Sequence, residues 1–188
     1  MAIHAGRHHL GTESGRIVLA TLREGFAAQA GHDLTLELAR WSGELVVGDD
    51  LAPRSLEVTL DLGSLVVREG SGGLKPLTDR DKREIAATAR KVLGSDRHPE
   101  ASFSATGFEP ASQGGGVISG TLTIRGRSRP FRLAVSQPGP DDYRATGAVV
   151  QSDFGVKPYT GFLGALKVRD AVDVQVDVSI PGTEGAPA

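Results

Sequence analysis

Val172 to Ile180 reads V-D-V-Q-V-D-V-S-I. Val172, Val174, Val176, Val178 and Ile180 are apolar, and every residue between them is polar. Side chains on a strand alternate faces, so this segment has one dry face and one wet face. The pattern recurs in Ser55 to Leu62, S-L-E-V-T-L-D-L, where Leu56, Val58, Leu60 and Leu62 share a face. Half-buried antiparallel strands alternate in this way, whereas strands of a parallel sheet are covered on both sides and read as solid apolar runs.

Further strands are predicted over Arg16 to Leu22, Leu34 to Leu38 and Gly43 to Val47. Ser55 to Val67 extends the alternation, with a bulge at Gly63. Others follow over Ala101 to Phe108, Val117 to Ile124, Phe131 to Val135, Tyr143 to Val150 and Ala171 to Ile180. Turns are expected at Gln113 to Gly116 and Arg125 to Pro130. One stretch changes period. Asp79 to Leu93 carries Thr78 or Asp79 as N-cap, Asp79 and Asp81 in the first turn, Arg90 and Lys91 in the last, and Gly94 where a left-handed cap is wanted. Its apolar stripe, Ile85, Ala89, Val92 and Leu93, suits a helix that lies on a surface or plugs a barrel end. The architecture expected is all-β: a single antiparallel eight-stranded lipocalin-like barrel with one inserted α-helix. Residues 1–181 form the domain, and residues 182–188 a disordered tail.

A chain of 188 residues suits one domain with a substantial core. The formal net charge of −2 argues against a nucleic-acid binder, which needs a basic excess to meet phosphates. With no cysteine, disulfides, thiolate metal sites and thiol nucleophiles are excluded. No asparagine is present, so N-glycosylation is excluded too. The N-terminus lacks the apolar core of a signal peptide, and no run approaches the ~20 apolar residues of a membrane span, so a cytoplasmic protein without integral membrane association is expected.

Several segments, taken in order, resemble the YceI-like family of lipocalin-shaped polyisoprenoid-binding proteins. They are Ala28-Gln29-Ala30-Gly31-His32-Asp33-Leu34 followed by Trp41, Leu77-Thr78-Asp79-Arg80-Asp81, and His98-Pro99-Glu100-Ala101-Ser102-Phe103. Gly120-Thr121-Leu122-Thr123-Ile124-Arg125-Gly126 with Pro130 comes next, then Ser152-Asp153-Phe154-Gly155-Val156 running through Phe162 to Asp170. The resemblance implies an extended barrel with a tunnel closed by a helix, and binding of a long isoprenoid or similar amphiphile without chemistry or cofactor. It also implies that two copies can pair as a homodimer. Many family members carry a secretion signal; this chain reads as a cytoplasmic branch.

The residues agree with that picture. Leu56, Val58, Leu60, Phe103, Leu122 and Phe131 are expected as tunnel wall. Phe154, Tyr159, Phe162, Leu163 and Leu166, interrupted by Pro158, Gly161 and Gly164, are expected as a mobile gate. His32 is the expected polar contact to a head group; a hydrogen-bonded histidine at a strand start is the plainer reading. Two rivals stand beside the carrier: a hydrolase or isomerase on the same barrel using His32 with Asp33 or Asp81, and a packed-core structural or interaction protein. No nucleophile elbow, zinc-protease or phosphate-loop motif is present. His4, His8 and His9 match no defined metal spacing. Arg125, Arg127, Arg129 and Arg132 read as a basic hairpin tip, either a phosphate contact or a solvated turn.

Overall fold

The structure is a computed structural model that describes residues 3–111 and 115–181. The expected tail at 182–188 and part of the expected turn at 113–116 lie outside those residues. In chain order the strands are β1 (Gly6–Gly11), β2 (Gly15–Thr21), β3 (Arg23–Glu24), β4 (Asp33–Leu38), β5 (Trp41–Val47), β6 (Pro53–Asp61) and β7 (Leu65–Ser71). Helix α1 (Asp79–Leu93) follows, then β8 (Glu100–Pro110), β9 (Gly116–Ile124), β10 (Arg127–Ser136), β11 (Asp142–Val150), β12 (Thr160–Gly161), β13 (Leu166–Val168) and β14 (Ala171–Ser179).

Eleven segments form one antiparallel sheet in the order β1-β5-β6-β8-β9-β10-β11-β14-β2-β4-β7. Three chain-adjacent pairs, β1/β2, β4/β5 and β6/β7, lie eight ladders apart in that order. Eight antiparallel steps are an even number of reversals, so the two members of each pair run the same way. Only residues 12–14, 39–40 and 62–64 join them, and a link that short spans at most about 10–14 Å. The sheet therefore curls until its ends meet. Each pair is one long strand with a kink, and the eleven segments make eight strands around a barrel. The correction to the sequence reading is the segmentation: three of the eight strands are broken by a bend.

The kinks are held by specific hydrogen bonds. Ala39 N–H donates to the Ser64 carbonyl at 3.3 Å and Asp61 N–H to the Arg40 carbonyl at 3.1 Å, which carries the ladder through the bend. The Ser64 hydroxyl is buried there, accepting from Arg40 N–H at 2.9 Å and donating to the Asp61 carbonyl at 2.7 Å. The bulge expected at Gly63 is this bend, a short 3-10 turn over Leu62–Ser64. At the first kink Ser14 N–H donates to the Gly11 carbonyl at 3.0 Å.

Strand β1 was not expected. Its most buried residue is His8, whose ring stands edge to face with that of His4, so the alternation of G-R-H-H-L-G does not show in a hydropathy reading. The β9–β10 hairpin turns on Arg125 and Gly126, at φ 53° and 71°. Two successive left-handed residues make the hairpin turn whose twist matches the strands.

Helix α1 has the bounds read from its sequence. The Thr78 hydroxyl accepts from Asp81 N–H while the Asp81 carboxylate accepts from Thr78 N–H, a reciprocal cap that satisfies two end donors. Gly94 closes the helix in the left-handed conformation at φ 69°. The stripe of Ile85, Ala89, Val92 and Leu93 faces the barrel interior. Lys82 Nζ donates to the Arg68 carbonyl at 2.9 Å and Arg90 to the Leu65 carbonyl at 3.2 Å, tying the helix to β7.

A small second sheet, β12-β13-β3, stands at one end of the barrel. Its strands are only two or three residues long, too short for alternation to register in the sequence.

Candidate functional site: an apolar tunnel

The barrel is hollow. A cavity of about 1370 Å³ runs through it, above the roughly 300–1,000 Å³ usual for small-molecule sites. Val172, Val174, Val176, Val178 and Ile180 all face it, so the dry face of the last strand is a tunnel wall. That stretch alone spans about 27 Å at ~3.3 Å per residue. Leu56, Val58 and Leu60 on β6, Phe103 on β8, Leu122 on β9 and Phe131 on β10 line it as well. Phe103 and Phe131 meet edge to face with centroids 6.1 Å apart.

Polar side chains on the wall gather towards its ends. At one end, where β6 begins and β8 finishes, are Asp50, Arg54, Glu109 and Tyr143. Burial pushes the Tyr143 phenol above its ordinary value, so it is a neutral hydroxyl at physiological pH. At the other end, beside β3 and β13, are Arg23, His32, Lys75, Asp81, Tyr159 and Lys167.

His32 sits between a short 3-10 turn (Ala28–Ala30) and β4. Its Nε2–H donates to the Lys75 carbonyl at 2.8 Å. Gly73, at φ 71°, passes so close to the imidazole that a Cβ there would collide with the ring. Asp33 turns away from its neighbour: its carboxylate accepts from Arg23 N–H at 2.8 Å and lies 3.8 Å from the Arg23 guanidinium. The Arg23 guanidinium also donates to the Gly31 carbonyl. Asp81 is held in the helix cap by hydrogen bonds from the Thr78 hydroxyl and N–H, which lower its carboxyl below the ordinary range. The structure thus places His32 at the mouth, engages Asp33 with Arg23, and holds Asp81 in the helix cap with the His32 ring near enough to act on its charge.

The expected gate residues separate into three groups. Tyr159 and Leu166 line the cavity. Phe154 is buried in a core cluster with Phe103, Leu122, Leu133 and Val156. Phe162 and Leu163, at the tip between β12 and β13, point to solvent. The tunnel wall also includes two residues not assigned to it from sequence, Thr21 and Trp41. The Thr21 hydroxyl and the Trp41 indole N–H are both buried without a hydrogen-bond partner among the described residues. The single tryptophan was the available signal for the second.

Three of the four arginines of the expected cluster have partners, two of them outside the turn. Arg125 donates to the Gly155 carbonyl at 2.6 Å, Arg129 to the Ser128 carbonyl at 2.9 Å, and Arg132 lies 3.4 Å from Glu109. His8 Nε2–H donates to the His4 carbonyl at 2.8 Å. No helix among the described residues is long and apolar enough to cross a membrane.

A kinked eight-stranded barrel with one helix against its open interior defines a lipocalin-like protein. The YceI-like domain model matches residues 19–180, and the chain belongs to that family. Among solved structures, Burkholderia cenocepacia BcnA is similar with a TM-score of 0.59 at 17% identity, covering 87% of this chain and 94% of that one. The Campylobacter jejuni YCEI protein is similar with a TM-score of 0.57 at 17% identity, covering 79% of this chain and 85% of that one. No curated protein matches the sequence.

Proposed function

We propose that this protein binds a polyisoprenoid or another long apolar amphiphile lengthwise in its tunnel, without chemistry, for storage, transport or sequestration. The observation that carries this reading is the continuous apolar cavity of about 1370 Å³. Leu56, Val58, Leu60, Phe103, Leu122 and Phe131 would contact the hydrocarbon. Moving hydrocarbon from water to such a wall is favourable by roughly 2.5 kcal/mol per 100 Å². No directional contact is needed, so a flexible chain without hydrogen-bonding groups suits the site better than a polar metabolite. His32, with Tyr159 and Leu166 beside it, would meet a polar head at the mouth. Its bond to a backbone carbonyl leaves Nδ1 as the ring's remaining polar atom.

Native mass spectrometry on freshly purified protein tests the reading. The expected result is an added mass of several hundred daltons that organic solvent removes. Protein that is bare in every preparation, and stays bare after incubation with a polyprenyl compound, would overturn it.

A further inference from the structure

The four most exposed large apolar side chains among the described residues are Leu163 (109%), Phe26 (104%), Leu74 (80%) and Phe162 (66%). All four stand on loops that frame one mouth of the tunnel. Phe162 and Leu163 form the tip that leads into Leu166, Lys167 and Val168 on the tunnel wall. Phe26 lies just beyond β3, which pairs with β13. A hydrogen bond from Ala27 N–H to the Ala165 carbonyl at 2.9 Å joins its loop to that tip. Leu74 belongs to the strap whose Gly73 and Lys75 hold His32.

These side chains are not left out by accident of a loose chain. Phe162 and Leu163 have φ of 48° and 55°, a left-handed backbone that costs free energy for any residue with a Cβ. Burial of their side chains within this fold does not offset that cost. Two lysines on the same rim, Lys75 and Lys167, make no ion pair among the described residues, although Glu24 lies opposite Lys167 in the ladder. Three other carboxylates nearby are engaged: Asp33 with Arg23, Asp81 with Thr78, and Asp170 with Ser152.

We propose that this rim is a membrane-contacting surface. Phe26, Phe162 and Leu163 enter the boundary between head groups and acyl chains, and Lys75 and Lys167 meet anionic head groups. The mouth then opens onto the lipid phase, from which an apolar ligand reaches the wall without crossing water; this last step rests on the tunnel reading. A bilayer fits the rim better than a second copy of the chain. A stable protein interface buries about 1,200–2,000 Å² of matched surface, whereas a few large apolar side chains on protruding loops suit shallow insertion. Two lysines on the same rim as the apolar tips match an anionic lipid surface.

Flotation with phosphatidylcholine–phosphatidylglycerol vesicles tests this. The wild-type protein is expected to float with the mixed vesicles and to float less with phosphatidylcholine alone. Phe26→Ser and Leu163→Ser are each expected to lower the partition coefficient about tenfold, with Phe26→Ser taking up a lipophilic fluorescent probe in vesicle-free buffer as well as wild type does. Wild-type protein that stays in solution, or variants that float equally well, overturn the proposal. If wild type does not float but forms a dimer that Phe26→Ser dissociates, the rim belongs to a second copy and the membrane reading also falls. Absence of probe uptake by wild type in buffer counts against the tunnel alone, because flotation reads the rim independently.

Discussion

The ring of Phe103 lies over Gly120 with no room for a methyl group between them. A Cβ on Gly120 would sit 2.5 Å from both Cε2 and Cζ of that ring, and 2.5 Å from the Ser104 carbonyl oxygen. Gly120 is also the ladder partner of Phe131, so its bare backbone is where the two aromatic residues of the wall approach each other. The ring could rotate away, but the carbonyl belongs to the neighbouring strand. Gly120→Ala is therefore expected to cost about 1–3 kcal/mol, the usual range for overpacking. Urea unfolding followed by circular dichroism measures it. An unchanged midpoint would show that the sheet relaxes freely there.

Burial separates the leucines sharply. Leu65 is 2% exposed, under α1 and beside Leu36, Leu38 and Leu62, whereas Leu163 is fully in solvent. Leu65→Ala is expected to lose about 2–5 kcal/mol, the cost of lost transfer plus a cavity. Leu163→Ala should stay within about 0.5 kcal/mol of wild type. Thermal unfolding of the two variants side by side distinguishes them.

Val58 lies on the tunnel wall and touches both large core clusters, so it stands midway along the interior. Val58→Trp fills the bore where a rod-shaped ligand must pass. The expected outcome is probe uptake weakened about tenfold or more, with a native far-ultraviolet spectrum. Equal affinity in a folded variant would place the ligand elsewhere.

Asp177 on the outer barrel surface bridges two strands. Arg144 Nε lies 2.6 Å from one carboxylate oxygen and Arg16 Nε 3.2 Å from the other. Burial pushes this carboxyl up, but hydrogen bonds from Arg144, Gln175 and Arg16 outweigh burial and hold it below the ordinary aspartate value. A carboxyl depressed in the folded state stabilises above its unfolded value, about 3.9, and that contribution is lost as pH falls through the folded value. Asp177→Asn should therefore be less stable than wild type at neutral pH, and the gap should close as the medium is acidified. High salt should narrow it as well, because the pairs are partly exposed. A gap that persists undiminished in acid would assign the effect to packing.

Much of the barrel was legible because period-2 alternation is a local property. Ser55 to Leu62 and Val172 to Ile180 each display a dry face that must be covered, and both dry faces line the tunnel. The helix was legible for the same reason: Thr78, Asp81 and Gly94 make their caps with residues a few positions away. Strand β1 escaped notice because His8 fills a buried position that hydropathy scores as polar. The separation of Phe154 from Phe162 was equally hidden. Both are aromatic residues near glycines, yet one enters the core between Leu122 and Leu133 and the other meets solvent.

The amino-acid order by itself determined that this chain makes antiparallel strands with one apolar face, and where the helix Asp79–Leu93 starts and stops. Those outcomes depend on contacts within one strand or one turn. Only the tertiary structure decided that the enclosed space is hollow, that three strands bend at Gly11–Ser14, Ala39–Arg40 and Leu62–Ser64, and which apolar side chains turn outward at the mouth. A wall residue facing a packed partner and one facing a void have the same alternation. The difference is set by how far the curled sheet holds opposite walls apart, a distance no local pattern encodes.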